Sequence, residues 1–143
     1  MAQGDITFYN FAKKYLSDSP INWDTDTIIC LLMADAYVPN IDTDEFISTI
    51  VANEAANANY VRKTMTATTP TVDTVNDWAE YDLTTNPTWT ALGTGTLKCA
   101  VLAKNTGADA TSPLICFMSI VATQPNGGDY TITWHANGPF VVA

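Results

Sequence analysis

Acidic side chains at two-residue spacing are the first feature of this chain with a chemical meaning. Residues 24–46, DTDTIICLLMADAYVPNIDTDEF, hold five Asp, one Glu and no basic residue. Asp24-Thr25-Asp26 has the D-x-D spacing and Asn40-Ile41-Asp42-Thr43-Asp44 the N-x-D-x-D spacing with which calcium loops begin. An EF-hand also needs a Gly at its sixth position, to turn sharply, and a Glu at its twelfth, to close the oxygen shell. Counted from Asn40 these positions are Glu45 and Val51, and counted from Asp24 the sixth is Ile29. Both frames fail. The acid therefore reads as a solvated edge and no metal is expected. Asp24, Asp26, Asp42 and Asp44 are the side chains that a looser calcium site would have to use. Asp24 and Asp26 lie at the expected start of a strand, where i and i+2 project to one side.

Other chemistry is thinly represented. His135 is the only histidine, so a Ser-His-Asp or Cys-His arrangement would have to use it. It follows a predicted strand in TWHANG and reads as a turn residue. Gly93-Thr94-Gly95 fits neither a dinucleotide fingerprint nor a P-loop and reads as a turn. The three Glu stand in no distinctive motif. Trp23, Trp78, Trp89 and Trp134 would suit a sugar-binding platform if exposed, but large aromatics more often fill a sandwich core or an interface. Cys30, Cys99 and Cys116 are odd in number, widely spaced and set in apolar segments, so they are expected to be buried free thiols. No cofactor and no enzymatic activity are expected.

Composition narrows the class. The chain has 143 residues, enough for one domain burying roughly 70% of its unfolded surface. Fifteen acidic residues against six basic give a net charge of -9. Such a surface repels phosphate backbones and anionic lipid, which makes nucleic acid and membranes poor partners. The opening MAQGDITFYNFAKKYL lacks the basic and unbroken apolar regions of a secretory leader, so synthesis in the cytoplasm is expected.

The elements follow from periodicity. Asp5 is a candidate helix cap, and Phe8, Phe11, Ala12, Tyr15 and Leu16 form one apolar stripe at helical spacing, ended by SDSP. Thr27–Ala34 is a continuous apolar run, expected as a strand buried on both faces. Thr43–Ile50 reads as a short helix or helical turn with Thr43 as candidate cap, and 51–60 as loop. Strands are predicted over Tyr60–Ala67, Val72–Val75, Trp78–Leu83, Leu97–Lys104 and Leu114–Thr123, with Asn76-Asp77 as a turn. Pro87 demotes 83–92 to a loop or edge segment. PNGGD at 125–129 is a hairpin turn, after which Tyr130–Trp134 is expected to pair back on Leu114–Thr123. Phe140–Val142 is expected as a terminal strand. The sum is a mainly β, single-domain antiparallel sandwich or jelly roll over 1–143. Residues 1–20 form its N-terminal helical segment and 21–143 its β body.

Four stretches in order, DTDTIICLLMADAYVPNIDTD, VANEAANANY, AVLAKNTGADATSPLICFMSI and NGGDYTITWHANGPFVV, resemble a family of small structural proteins of tailed bacteriophages. The resemblance runs from about Trp23 to the C-terminus. It lies in the acidic lead into a buried strand, a Y-x-P-[ND]-x-D turn, a strand ending in K-[DN]-T-G and an NGD[FY]TI-x-W hairpin. The chain departs from the pattern at Ile29, at 57–60 and at His135, where the family tends to carry a basic residue, GTGY and Asp. The resemblance implies a capsid decoration (cement) protein with a jelly-roll-like fold on the outer surface of the virion head, made in the bacterial host cytoplasm. Its implied partners are the major capsid protein and itself, as a homotrimer in preference to a homodimer. A tail or fibre module that binds host glycans through its Trp and Asn/Asp residues is the rival reading, and a hydrolase is a third.

The chain ends supply the expected contact surface. Phe8, Phe11, Tyr15 and Leu16 are more aromatic than a small peripheral helix requires, and a soluble monomer rarely leaves such a patch open. Together with Phe140, Val141 and Val142 they are the expected interface residues.

Overall fold

Three predominantly apolar runs form the centre of the molecule. The computed structural model describes residues 6–18, 20–136 and 138–142. Numbered in chain order, the three runs are β2 (Ile28–Ala34), β7 (Leu97–Lys104) and β8 (Leu114–Thr123). With β1 (Ile6–Phe8) and β3 (Lys63–Met65) they make a five-stranded antiparallel sheet in the order β1-β8-β7-β2-β3.

The runs are apolar on both sides of the strand because both faces of this sheet are covered. On one face Ile28, Cys30, Leu32, Leu102, Cys116 and Met118 meet Trp89, Leu92, Tyr130 and Phe140. These come from two small antiparallel sheets. One has the order β10 (Phe140–Val142), β5 (Trp78–Tyr81), β4 (Thr71–Asp73); the other pairs β6 (Thr88–Leu92) with β9 (Gly128–Thr131). On the other face Ile29, Leu31, Met33, Cys99 and Val101 meet Tyr9, Ala12, Ile47 and Ile50. That side is closed by α1 (Asn10–Asp18) and the single turn α2 (Ile47–Ile50). The fold is thus mainly β and antiparallel, sandwich-like on one side of the main sheet and capped by short helices on the other. No helix among the described residues is long and apolar enough to cross a membrane.

The structure corrects four local expectations. Phe8 belongs to β1 and not to the helix, because Ile6, Thr7 and Phe8 take up the open edge of β8 opposite Met118, Phe117 and Cys116. The helix therefore starts at Asn10, and Asp5 lies outside the described residues. Thr43 caps no helix. Its N–H and that of Asp44 donate to the Asn40 carbonyl at 3.3 and 2.9 Å, which closes a turn and leaves only Ile47–Ile50 helical. Asp24 lies in a turn before β2, so the strand period does not apply to Asp24 and Asp26.

The fourth correction concerns the hairpin. The expected turn is present, with Asn126 and Gly127 at φ 51° and 87°. The strand that follows does not pair with β8 but with β6, in the register Thr88↔Thr131, Trp89↔Tyr130, Leu92↔Gly128. The Gly127 N–H donates to the Leu92 carbonyl at 2.7 Å and the Asp129 carboxylate accepts from the Ala91 N–H at 2.8 Å, which locks the turn to β6. β8 already has β7 and β1 as neighbours. Tyr130–Trp134 is therefore no central strand.

The register also settles the cysteines. Cys30 and Cys116 both face Leu102, from opposite sides. Two strand spacings place them roughly 9–10 Å apart, beyond the reach of a disulfide. Cys99 points to the other core. Burial pushes all three thiols up, Cys99 to about 12, which disfavours the reactive thiolate. A polar maleimide is expected to leave all three unlabelled under native conditions and to label all three in urea. Rapid native labelling of any one would mean that its sheet opens locally.

Candidate interaction surface

The residues of the two N-x-D and D-x-D segments do not converge. Asp42 accepts from the Asn10 side-chain amide at 2.6 Å, tying the acidic turn to α1. Asp44 turns inward and is only 7% exposed. It accepts the Tyr37 hydroxyl and the Asn40 N–H, both at 2.9 Å, and Tyr37 is in turn 2.7 Å from the buried Tyr9 hydroxyl. Asp26 accepts the Asn22 N–H at 2.7 Å and pairs with Lys104 at 3.0 Å, while Asp24 is exposed. Among the described residues no group of three or more His, Cys, Asp or Glu is placed to hold a metal ion. The acids that sequence spacing grouped are thus separate devices: a tie to α1, a buried acceptor and an ion pair. His135 lies at a tight turn whose Gly138 N–H donates to the His135 carbonyl at 2.9 Å. Trp23, Trp89 and Trp134 are buried and Trp78 is half-buried, so they belong to the core rather than to an exposed platform.

The apolar residues of the chain ends do come together. α1 lies along the β1 side of the molecule, next to β10, and the groove between them has a volume of about 450 Å³. Phe8, Leu16, Val141 and Val142 line it, with Lys13, Ser17 and Tyr81 completing the walls. Past Leu16 and Tyr81 a second depression of about 250 Å³ runs on toward Trp23 and Pro70.

An aromatic cluster makes the floor. The Phe140 ring meets Phe8 edge-on at 4.7 Å, Trp23 edge-on at 4.9 Å, and stacks on Tyr81 at 4.8 Å. Phe140 is 6% exposed, so it supports the groove and does not itself offer a contact. Gly138 sets its position: at φ 88° a side chain there would run into the Tyr81 carbonyl, which only glycine lets approach. Val142 is the exposed member, at 46%. Phe11 and Tyr15 sit elsewhere on α1. Phe11 borders a separate depression with Asn10, Lys14 and Asp42, and the Tyr15 hydroxyl donates to Glu45. That bond raises the Tyr15 pKa. Tyr81 and Lys13 were missed in sequence. Nothing local marks them, because Tyr81 reaches the groove only once β5 lies beside β10, and Lys13 only once α1 lies next to β10.

Charge distinguishes this surface from the rest. Arg62 is held bidentately by Glu54 and by Asp109, Lys98 pairs with Asp35, and Lys104 with Asp26. Lys13, Lys14 and Lys63 make no ion pair among the described residues. Two of these three stand on α1, and Lys13 lines the groove itself. No protein-family model, curated protein or solved structure matches this chain.

Proposed function

We propose that this chain is a structural protein of a bacteriophage virion, a capsid decoration protein that binds the outer surface of the head and stabilises it by subunit and lattice contacts. The observation that carries this reading is the groove between α1 and β10. It is apolar, rests on an aromatic floor and carries Lys13, which makes no ion pair among the described residues, in an otherwise acidic molecule. Apolar walls with a charged rim are how protein interfaces are built, with burial supplying affinity and charge the register. The resemblance of four ordered sequence stretches to small phage structural proteins supports the same role. The thick double-faced core suits a part that must endure on a shell. The buried tryptophans favour this reading over a glycan-binding module, which would need those rings at its surface.

Sedimentation with undecorated shells tests the proposal. Purified protein is expected to bind saturably, at a fixed ratio to the major capsid protein, and to raise the temperature at which the shell comes apart. Protein that stays in the supernatant at every concentration would remove the shell as partner.

A further inference from the structure

We infer that the groove receives the tip of the β4–β5 hairpin of a second copy of this chain. The inference rests on the proposal that the groove is a docking surface, and it names the occupant. Charge is the first argument. The tip, Asp73 to Asp77, carries two carboxylates and no basic residue, opposite in sign to Lys13 on the wall of the groove. The Asp73 carboxylate accepts the N–H groups of Val75 and Asn76 and the Asn76 side-chain amide, at 2.8, 3.1 and 2.7 Å. These bonds hold the Asp73 carboxyl below its usual range and keep it charged. They also fix the shape of the tip in advance, which lowers the entropy lost on docking.

Polarity is the second argument. Val72 and Val75 stand on this hairpin 75% and 88% exposed, among the most exposed large apolar side chains of the molecule. Their own chain gives them nothing to cover them, and the groove is an apolar surface of matching kind. The third argument is topological. β4 and β10 are opposite edges of one three-stranded sheet, with β5 between them. The groove is walled by β10 and by Tyr81 of β5, and the tip that joins β4 to β5 leaves Val72 and Val75 exposed, so the tip does not lie in the groove of its own chain. A neighbouring copy can supply the tip, and the exchange uses the apolar and the acidic features of the tip at once.

Two fold-neutral variants test this, because both alter exposed side chains. Val75→Asp damages the tip and leaves the groove; Lys13→Glu damages the groove and leaves the tip. In sedimentation velocity of the full chain, the parent is expected to self-associate with concentration, less so in high salt. Each variant alone is expected to associate at least about tenfold more weakly, with an unchanged melt. An equimolar mixture of the two is expected to form mixed species, since the tip of one fits the groove of the other. If Val75→Asp associates like the parent while the lysine variant does not, another surface fills the groove: this inference fails and the docking-surface reading stands. If both variants associate like the parent, both readings fail. A parent that is monomeric at every concentration, or two impaired variants whose mixture stays monomeric, also overturns the pairing of tip with groove.

Discussion

Phe140→Ala is expected to lower the unfolding free energy by about 3–5 kcal/mol, the range for emptying a core site of a phenylalanine ring. The residue is 6% exposed and its ring touches those of Phe8, Trp23 and Tyr81, all with centroids within 5 Å. Those three partners come from β1, from the turn before β2 and from β5, so one ring joins the main sheet to the three-stranded sheet. Ring pairs at such geometry add roughly 0.5–1.5 kcal/mol each beyond the area they bury. A small domain is stable by only about 5–15 kcal/mol in total, so this one truncation removes a large share. Urea unfolding followed by tryptophan fluorescence measures it. A loss below about 1 kcal/mol would mean that the cluster collapses onto the vacancy and that β10 is not coupled to the body.

Val142→Asp is expected to act on association and not on folding. Val142 is 46% exposed at the end of an edge strand, so an aspartate there stays hydrated in the free chain. A partner seated in the groove would strip that water and leave a charge in an apolar contact. The expected cost is about 2–4 kcal/mol of binding free energy, the scale of an interface hot spot. By the affinity relation this is roughly a 30- to 1,000-fold loss of affinity. If the variant self-associates and binds shells like the parent, the groove is not the contact surface. If its melting temperature falls as far as that of Phe140→Ala, Val142 is part of the core and the variant says nothing special about binding.

The contrast between these two neighbours shows what the sequence could and could not convey. PFVV reads as one apolar terminus, and only the pairing Phe140↔Tyr81, Val141↔Glu80, Val142↔Ala79 separates floor from rim. β2, β7 and β8 were legible because runs so rich in apolar residues have one simple explanation, burial on both faces. The covering layers were less so. PNGGD announces a tight turn through backbone torsions that Asn and Gly tolerate, but turn chemistry does not choose the edge on which the strand docks. That choice came from Gly127 and Asp129 bonding to β6. Phe8 fits a helical stripe and a period-two strand equally well, and the free edge of β8 decided for the strand. Of the groove, the apolar residues at both chain ends were legible as types. Tyr81 was not, since it is brought there by tertiary pairing alone. The acids read as a solvated edge were resolved only by the fold, because residues adjacent in sequence turn to different partners, Asp44 inward to Tyr37 and Asp26 to Lys104.

Copy number in the purified virion bears most directly on the assignment to the shell. Quantitative mass spectrometry against the major capsid protein measures it without reconstitution. A decoration protein is expected in hundreds of copies per particle, at a fixed ratio to the major capsid protein. A handful of copies, as for a tail component, would contradict the assignment.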